Sequence, residues 1–204
     1  MDKESKEKDL LQQYRKSKRL SKEIIWDLII FYSKEGKPEE SVKYAERQLE
    51  LSTDLEDKAL SYLTLGRLME QLFDFPSASN YYRQALSLEP VNRATWYFIH
   101  NNLGYCLNQL SRFQEAEKYL RTAVKICRIF QHAYKNLGVC KQGLGQLPEA
   151  AQCFITAIKI LPRDYRSLKH LEDLINRNPG LFIEVPGLKG ELELCRMAVE
   201  KCAK

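Results

Sequence analysis

One short pattern occurs twice in this chain, at a spacing of 34 residues. The two copies are Asn-Leu-Gly-Tyr at 102–105 and Asn-Leu-Gly-Val at 136–139. Each copy is followed at equal offsets by Glu-Ala and a further alanine, at Glu115, Ala116 and Ala123 and at Glu149, Ala150 and Ala157. A period of this length is typical of stacked helical hairpins. Because each hairpin of such an array contacts only its neighbours, an extended concave surface stays open to partners.

Small and bulky residues occupy matching places when the two repeats are counted from Tyr97 and from Gln131. The eighth residue is glycine in both, which lets the second helix approach the first closely. The twentieth and twenty-seventh residues are alanines, and Pro162 ends the second helix of the later repeat. Bulky residues with the spacing of a buried helical face fill the space between, at Leu103, Leu107, Leu120, Tyr134, Leu137, Leu144 and Phe154.

These positions resemble the tetratricopeptide repeat, which has an aromatic residue at position four, Leu-Gly at seven and eight, alanine at twenty and twenty-seven, and proline at thirty-two. An earlier tract shows the same offsets, at Tyr62, Leu65, Gly66, Ala78, Ala85 and Pro90. The resemblance implies an all-α fold, a right-handed superhelical solenoid of stacked antiparallel helix pairs with a C-terminal capping helix.

The resemblance divides the chain into six segments. Residues 1–21 are a charged N-terminal helix or tail, 22–58 a degenerate repeat, 59–96, 97–130 and 131–164 three full repeats, and 165–204 capping helices.

Two departures from the regular period carry structural expectations. The Leu-Gly pair at 65–66 lies 38 residues before the next one, so Arg93 to Trp96 is expected to add one turn to the first helix of the following repeat. In the degenerate repeat, Ile29 replaces the glycine, as expected for a terminal unit that faces water on one side.

The C-terminal segment is expected to begin with a capping helix, in which Glu172 stands where glycine would be. Asn-Pro-Gly at 178–180 then breaks the chain, and Phe182 to Pro186 is predicted to be extended. Gly187 to Cys202 has the pattern of a final amphipathic helix. Whether that helix packs on the last repeat or occupies a groove is left open by the sequence.

The charge of the chain is concentrated at its start. The first 22 residues carry eight Lys or Arg and four Asp or Glu, 8 − 4 = +4 of a total of +5. Because acids are interleaved, a solvated helix or frayed tail is favoured over a nucleic-acid contact, and only 15–22 is purely basic. The most apolar run, 24–32, is too short to cross a bilayer, and the first residues lack the core of a secretion signal, so a cytoplasmic location is expected.

Catalytic, cofactor and metal chemistry have little support in the sequence. There is no phosphate-binding loop, no nucleophile motif and no metal-ligand spacing, so no enzyme, cofactor or metal is predicted. Cys106 and Cys140 both stand at the small tenth position of a repeat, which indicates core packing. Cys195 and Cys202 lie seven residues apart and are expected to help bury the last helix. His100 falls at the aromatic core position.

In the family that this sequence resembles, the concave groove is lined by positions two, five, six, nine, twelve and thirteen of each first helix. The matching residues are Leu63, Arg67, Glu70, Phe98, Asn101, Asn102, Tyr105, Asn108, His132, Lys135, Asn136, Val139, Gln142, Arg166, Lys169 and His170. Asparagine amides can hold a peptide main chain because they both donate and accept hydrogen bonds. Lysine and arginine favour acidic side chains or a free carboxylate.

The function expected from these residues is that of a non-catalytic interaction module. It would bind a peptide segment or helix of a partner protein in the groove and act as a scaffold or adaptor. The carboxylate clamp of chaperone-binding relatives is not favoured, because only Asn136 and, less closely, Arg166 match its five positions, and His170 replaces an arginine. The alternative is self-association through the last helix or an exposed repeat face.

Overall fold

The computed structural model describes residues 2–18 and 21–203, and within these ranges its regular structure is entirely α-helical, with no strand. The twelve helices of this described part are α1 (Lys3–Lys16), α2 (Lys22–Lys34), α3 (Pro38–Glu50), α4 (Leu55–Gln71), α5 (Phe75–Ser87), α6 (Arg93–Gln109), α7 (Phe113–Ile126), α8 (Gln131–Gly143), α9 (Leu147–Ile160), α10 (Tyr165–Arg177), α11 (Leu181–Glu184) and α12 (Leu188–Ala203). The helices form two compact units, one ending at Asn102 and one beginning at Leu103, inside α6. Arg19 and Leu20, in the basic stretch 15–22, lie outside the described residues.

Unit 1 is built from two helical hairpins and an N-terminal helix. Helix α2 pairs with α3, α4 pairs with α5, and α1 packs on α2. Two apolar clusters hold these helices together: Ile25, Ile29, Ala45, Leu65 and Leu68, and Leu10, Leu28, Phe31 and Tyr32. Helix α2 therefore contributes buried residues to both clusters, which fixes it between its neighbours.

Unit 2 contains a hairpin of α8 and α9 with α7 packed on α8. Helix α10 packs on α9, and α12 packs on both α9 and α10. The shared core consists of Ala150, Ala151, Phe154, Ile155, Ile158, Leu171, Leu174, Ile175, Leu181, Leu188, Leu192 and Cys195. The last helix thus covers the apolar surface of the last repeat and its cap.

The glycine at position eight of each full repeat sits directly under a large side chain sixteen residues later. A β-carbon added to Gly66 would lie 2.4 Å from the Tyr82 ring, and one added to Gly138 would lie 2.5 Å from the Phe154 ring. Gly104 has the same relation to Leu120, at 2.5 Å. Because real β-carbons do not approach so closely, these positions accept only glycine without a shift of the second helix.

Four hairpin turns share one backbone conformation. Each contains a residue in the left-handed region: Gly36, Phe73, Ser111 and Gly145. Each is closed by a hydrogen bond from the next backbone N–H to the carbonyl five residues earlier, from Lys37 to Tyr32, Asp74 to Met69, Arg112 to Leu107 and Gln146 to Lys141, at 2.8 to 2.9 Å. This is the bond pattern of a Schellman helix end.

The predicted extra turn of α6 is confirmed, since the helix begins at Arg93 and has 17 residues against 13 in α8. Helix α4 is also 17 residues long and begins at Leu55, four residues before the place where the sequence suggested its repeat to start. Its early start has a local cause, because the Asp54 carboxylate accepts the N–H of Asp57 at 2.8 Å and caps the helix.

The expectation of an extended segment from Phe182 to Pro186 is wrong. Residues Leu181–Glu184 form α11, with a hydrogen bond from Val185 N–H to the Leu181 carbonyl at 2.9 Å. Leu181 is buried in the unit 2 core, which draws the chain into a helical turn before Pro186.

The cysteines divide by burial. Cys106 and Cys140 are fully buried, as their position in the repeat predicted. Cys195, on α12, is buried, but Cys202 on the same helix is exposed, so the expected contribution of Cys202 is wrong. The apolar contacts of α12 with the core reach only as far as Val199. In the described part of the chain, no helix has the length and apolar character needed to cross a bilayer.

Candidate functional site

The predicted groove residues fall in both units. Unit 1 holds six of them, on α4 and on the first part of α6. Leu63 and Asn101 are buried, Glu70 and Asn102 are partly buried, and Arg67 and Phe98 are exposed.

A chain of polar contacts joins four side chains on this face of unit 1. The Tyr82 hydroxyl donates to Glu70 Oε1 at 2.5 Å. Asn102 Nδ2 lies 3.4 Å from the Tyr82 oxygen, and Asn101 Nδ2 donates to Asn102 Oδ1 at 2.9 Å. Both ends of the Asn102 amide therefore have partners inside the unit, and a peptide would have to exchange with one of them.

Unit 1 also contains a groove between α2 and α4, with a volume of about 390 Å³. Its lining is formed by Trp26, Ile29, Ile30, Ser33, Lys34, Thr64, Arg67, Leu68 and Gln71. Contacts between the two helices stand near both ends of this groove. Lys22 Nζ lies 2.6 Å from the Asp57 carboxylate, and the Gln71 amide donates to Ser33 Oγ at 2.9 Å.

Of this α2–α4 groove, the sequence reasoning identified only Arg67. Positions five, nine, twelve and thirteen counted from Lys22 are Trp26, Ile30, Ser33 and Lys34, so the same offsets would have found the other side. The degenerate consensus of this first repeat hid the correspondence, because Ile29 stands where glycine is expected.

The predicted residues of unit 2 lie mainly on α8 and α10. Tyr105, His132, Lys135, Val139, Gln142 and His170 are partly buried, Asn108 and Asn136 are buried, and Arg166 and Lys169 are exposed. The Asn108 amide donates to the Asn136 carbonyl oxygen at 2.8 Å. The Asn108 side chain therefore helps to hold the interior of the unit through the main chain of Asn136, and a ligand-binding role for the Asn136 side chain stays a prediction.

Lys135, on α8, is a cation that is partly buried and has no paired acid among the described residues. Burial lowers the pKa of its amine below the ordinary value, and the charge of Arg166 lowers that pKa further, while Asp164 acts in the opposite direction. Among the described residues, no carboxylate oxygen lies within 4.0 Å of its nitrogen. A partly buried ammonium group without a paired acid is stabilised by an incoming anion.

Arg166 is held in place at the start of α10. Its Nε and a terminal nitrogen donate to the two Asp164 oxygens at 2.7 and 2.9 Å, and the same carboxylate accepts the Arg166 N–H. The arginine keeps 56% of its side chain exposed. Donor groups on its exposed side remain available to an anion, since a guanidinium carries five N–H groups.

The imidazoles of His132 and His170 lie near Lys135 and Arg166, and these four residues form the cation cluster of unit 2. The His170 ring stacks on Phe154 with centroids 5.3 Å apart, and His132 lies one turn before Lys135. Burial lowers the pKa of both histidines, and the charge of Lys135 lowers both further. They are therefore mainly neutral at pH 7 and charge only in more acidic solution.

The family assignment rests on the sequence pattern as well as on the fold. The family model described as tetratricopeptide repeat matches residues 22–88 and 96–163, more than half of the chain. The chain belongs to the tetratricopeptide repeat family. The predicted all-α fold is confirmed, and modules of this family use their stacked hairpins to contact other proteins.

Solved structures show the same fold at low identity. MamA from Desulfovibrio magneticus RS-1 aligns with a TM-score of 0.63 and 18% identity, covering 88% of this chain and 92% of that one. YrrB, described as a TPR protein with an unusual peptide-binding site, aligns with a TM-score of 0.63 and 17% identity over 93% and 91%. The first TPR of Spaghetti (RPAP3), bound to an HSP90 peptide, aligns with a TM-score of 0.54 and 20% identity over 60% and 94%. No curated protein sequence matches the chain.

Metal ligation has no visible basis in the described part of the chain, where no group of three or more His, Cys, Asp or Glu is placed to hold an ion. Two thiols of unit 2, the buried Cys140 and the partly buried Cys153, are poor nucleophiles, since burial raises the pKa of each to about 11.

Proposed function

We propose that this protein is a non-catalytic interaction module that binds an acidic or carboxylate-ended peptide segment of a partner protein. The observation that carries the proposal is the cation cluster of unit 2, in which Lys135 is partly buried without a paired acid while Arg166 is oriented by Asp164. An anionic peptide group would replace the lost hydration of Lys135 and accept hydrogen bonds from Arg166. The proposal includes the scaffold role and the cytoplasmic location expected from the sequence.

The solved structures support one part of the proposal, the class of ligand. YrrB and Spaghetti (RPAP3) are described with peptide ligands or peptide sites, and both share the fold of this chain. That likeness makes a peptide a reasonable class of ligand for a tetratricopeptide module. The preference for an acidic ligand rests on the residues of this chain alone.

A display library of random short peptides with free carboxyl termini tests the proposal directly. Panning against the intact chain should enrich acidic peptides, and calorimetry should show that Lys135→Ala weakens the best of them about tenfold or more, the loss of one buried charge contact. The matched control is Lys118→Glu, an exposed cation on α7 outside the predicted groove. If no peptide is enriched, or if Lys118→Glu is as damaging as Lys135→Ala, the proposal fails.

Self-association is the second candidate, and one observation favours it. Leu194 and Met197 lie one turn apart on α12, and their exposed fractions are 54% and 55%. Apolar side chains that share an exposed helical face commonly pack against another surface. Multi-angle light scattering should then show a dimer that forms with increasing concentration and is lost in a Leu194→Glu, Met197→Glu variant. A monomer at all concentrations excludes this candidate.

A further inference from the structure

Helix α2 carries more apolar surface than its place in the core requires. Ile25 and Ile29 fill one cluster of unit 1, and Leu28 and Phe31 fill the other. A third side of the helix still presents Trp26, whose exposed fraction is 36%, together with the partly buried Ile30. Tryptophan is among the residues that contribute most to binding when they are open at a surface.

The α2–α4 groove has a defined length. The lining runs along α2 from Trp26 to Lys34 and along α4 from Thr64 to Gln71. The step of eight residues from Trp26 to Lys34 corresponds to about 12 Å at 1.5 Å per residue. A segment of about four extended residues has this length.

The charges on the groove have one sign. Lys34 and Arg67 are both exposed residues of its lining. Neither has a carboxylate within ion-pair distance among the residues that the structure describes. A ligand with an acidic residue would therefore gain charge pairing here that the unit itself does not provide.

From this geometry we infer that the α2–α4 groove binds an acidic partner peptide by one large apolar side chain, seated against Trp26 and Ile30, with a neighbouring carboxylate on Lys34 or Arg67. The inference rests on the proposed function and adds to it a requirement for an apolar anchor in unit 1. A peptide with acidic residues alone would satisfy the cations but would leave the indole and the isoleucine in water.

Three peptides and four variants test this inference. The probes are the best peptide enriched by panning the same library against Lys135→Ala, capped at both ends, and two derivatives in which its large apolar residue becomes serine or its acidic residues become lysine. If that panning enriches no peptide, the inference is overturned. Affinities are measured by calorimetry on the intact chain and on Trp26→Ala and Arg67→Glu. The matched controls are Phe73→Ala, an exposed aromatic of the same unit, and Lys37→Glu, an exposed cation on a turn of that unit.

The expected result is a loss of affinity of at least tenfold for each derivative and for both groove variants, with changes below about twofold for the controls. Trp26→Ala could lose affinity because it unfolds, whereas Arg67→Glu changes an exposed side chain and should leave the fold intact. Circular dichroism measures the helical content of both variants. In a Trp96→Phe background, the emission of Trp26 should also move to shorter wavelength when the peptide binds.

Other results separate the inference from the proposed function. If peptides bind with dependence on Lys135 but with no change in Trp26→Ala and Arg67→Glu, the inference is overturned and the proposed function stands. If affinity depends on acidic residues but not on the apolar one, the anchor is wrong. If Trp26→Ala abolishes dimer formation instead of peptide binding, the groove is an interface between copies of this chain, and the inference is also overturned.

Discussion

The two units present their first helices with different chemistry. In unit 1 the polar groups at Glu70, Tyr82 and Asn102 bond to each other, and the open part of the surface is an apolar groove with two cations at its side. In unit 2 the corresponding surface carries the partly buried Lys135 beside two imidazoles that are mainly neutral at pH 7. The glycine contacts that hold the hairpins together are nevertheless the same in both units. The difference shows that one scaffold carries two surfaces of different chemistry at its variable positions.

If the two units share one scaffold, substitution of the position-eight glycine should destabilise both units equally. This loss of stability is the largest effect that we predict. Gly66→Ala and Gly138→Ala each place a β-carbon within about 2.5 Å of an aromatic ring, so each should lower the free energy of unfolding by about 3 kcal/mol. Urea denaturation measures the change. Gly190→Ala is the control, because no atom lies within 4 Å of its added β-carbon, and it should be neutral or stabilising. A tolerated Gly138→Ala with a damaging Gly66→Ala would show that the hairpins differ after all.

A second test removes a charge pair that unit 2 has and unit 1 does not. Lys141 is almost fully buried and lies 2.8 Å from Glu117, whereas position 69, the equivalent place in unit 1, is methionine. Lys141→Met should cost about 2 kcal/mol of unfolding free energy, because Glu117 loses its main partner and keeps only Arg121. Lys159→Met, which breaks an exposed pair with Glu191, should have no measurable effect.

The loss of unfolding free energy caused by Lys141→Met should also depend on pH. The bond from Lys141 holds the pKa of Glu117 below its ordinary value of 4.5. A carboxylate whose pKa is lowered by folding stabilises the protein above its unfolded pKa, and that contribution is lost as the pH falls through the folded pKa. The difference between the wild type and Lys141→Met should therefore be constant above about pH 5 and should narrow below it. A difference that stays constant down to pH 3 contradicts this account.

A third test distinguishes the two surfaces by the pH dependence of their peptide affinity. Burial lowers the pKa of His132 and of His170 below the ordinary value of 6.5, so both rings gain charge only in more acidic solution than a free imidazole does. Because an anion next to an imidazolium raises its pKa, binding takes up protons, and the affinity of a free-carboxylate peptide for unit 2 should rise about tenfold from pH 7.5 to 5. The charged neighbours of these rings are Lys135, Asp164, Arg166, Lys169 and Asp173.

The α2–α4 groove supplies the control for this pH effect, since no histidine lines it. Binding that requires Trp26 should therefore change little over the same range. A His132→Gln, His170→Gln variant should abolish the rise in unit 2. If the rise persists in that variant, another group is responsible.

The smallest predicted effect concerns a turn. Phe73 adopts a φ of +59° and has an exposed fraction of 79%, whereas the corresponding residue of the last hairpin, in unit 2, is Gly145. Phe73→Gly should raise the free energy of unfolding by about 1 kcal/mol, because glycine adopts this conformation without strain. Phe73→Ala keeps the β-carbon and should not stabilise. Equal stabilisation by both substitutions would assign the effect to the aromatic ring rather than to the backbone.

The scaffold was largely predictable because its determinants are local in sequence. Gly104 and Gly138 recur with a fixed period, and the four extra residues between Gly66 and Gly104 predicted the added turn that begins at Arg93. The short helix α11 was not predictable, because it depends on where Leu181 docks in the core. The pattern of residues from Phe182 to Pro186 does not predict the contact of Leu181 with the core.

The surface was less predictable than the scaffold, for a different reason. Counting positions selected Asn101 and Asn136 as groove residues, and both are buried in the structure. The same counting omitted Trp26 and Ile30, because it was not applied to a repeat with a weak consensus. Position in a repeat gives the direction of a side chain, but its accessibility depends on how large its neighbours are.

The shared hairpin turns have a practical consequence for engineering. Since each is locked by the same main-chain bond at one left-handed residue, the angle between paired helices owes little to the identity of the turn side chains. Whole hairpins could therefore be exchanged between repeat proteins. The hairpin that carries Trp26 could be moved into another repeat array to add a binding surface, because the hydrogen bond that closes its turn is made by its own main chain.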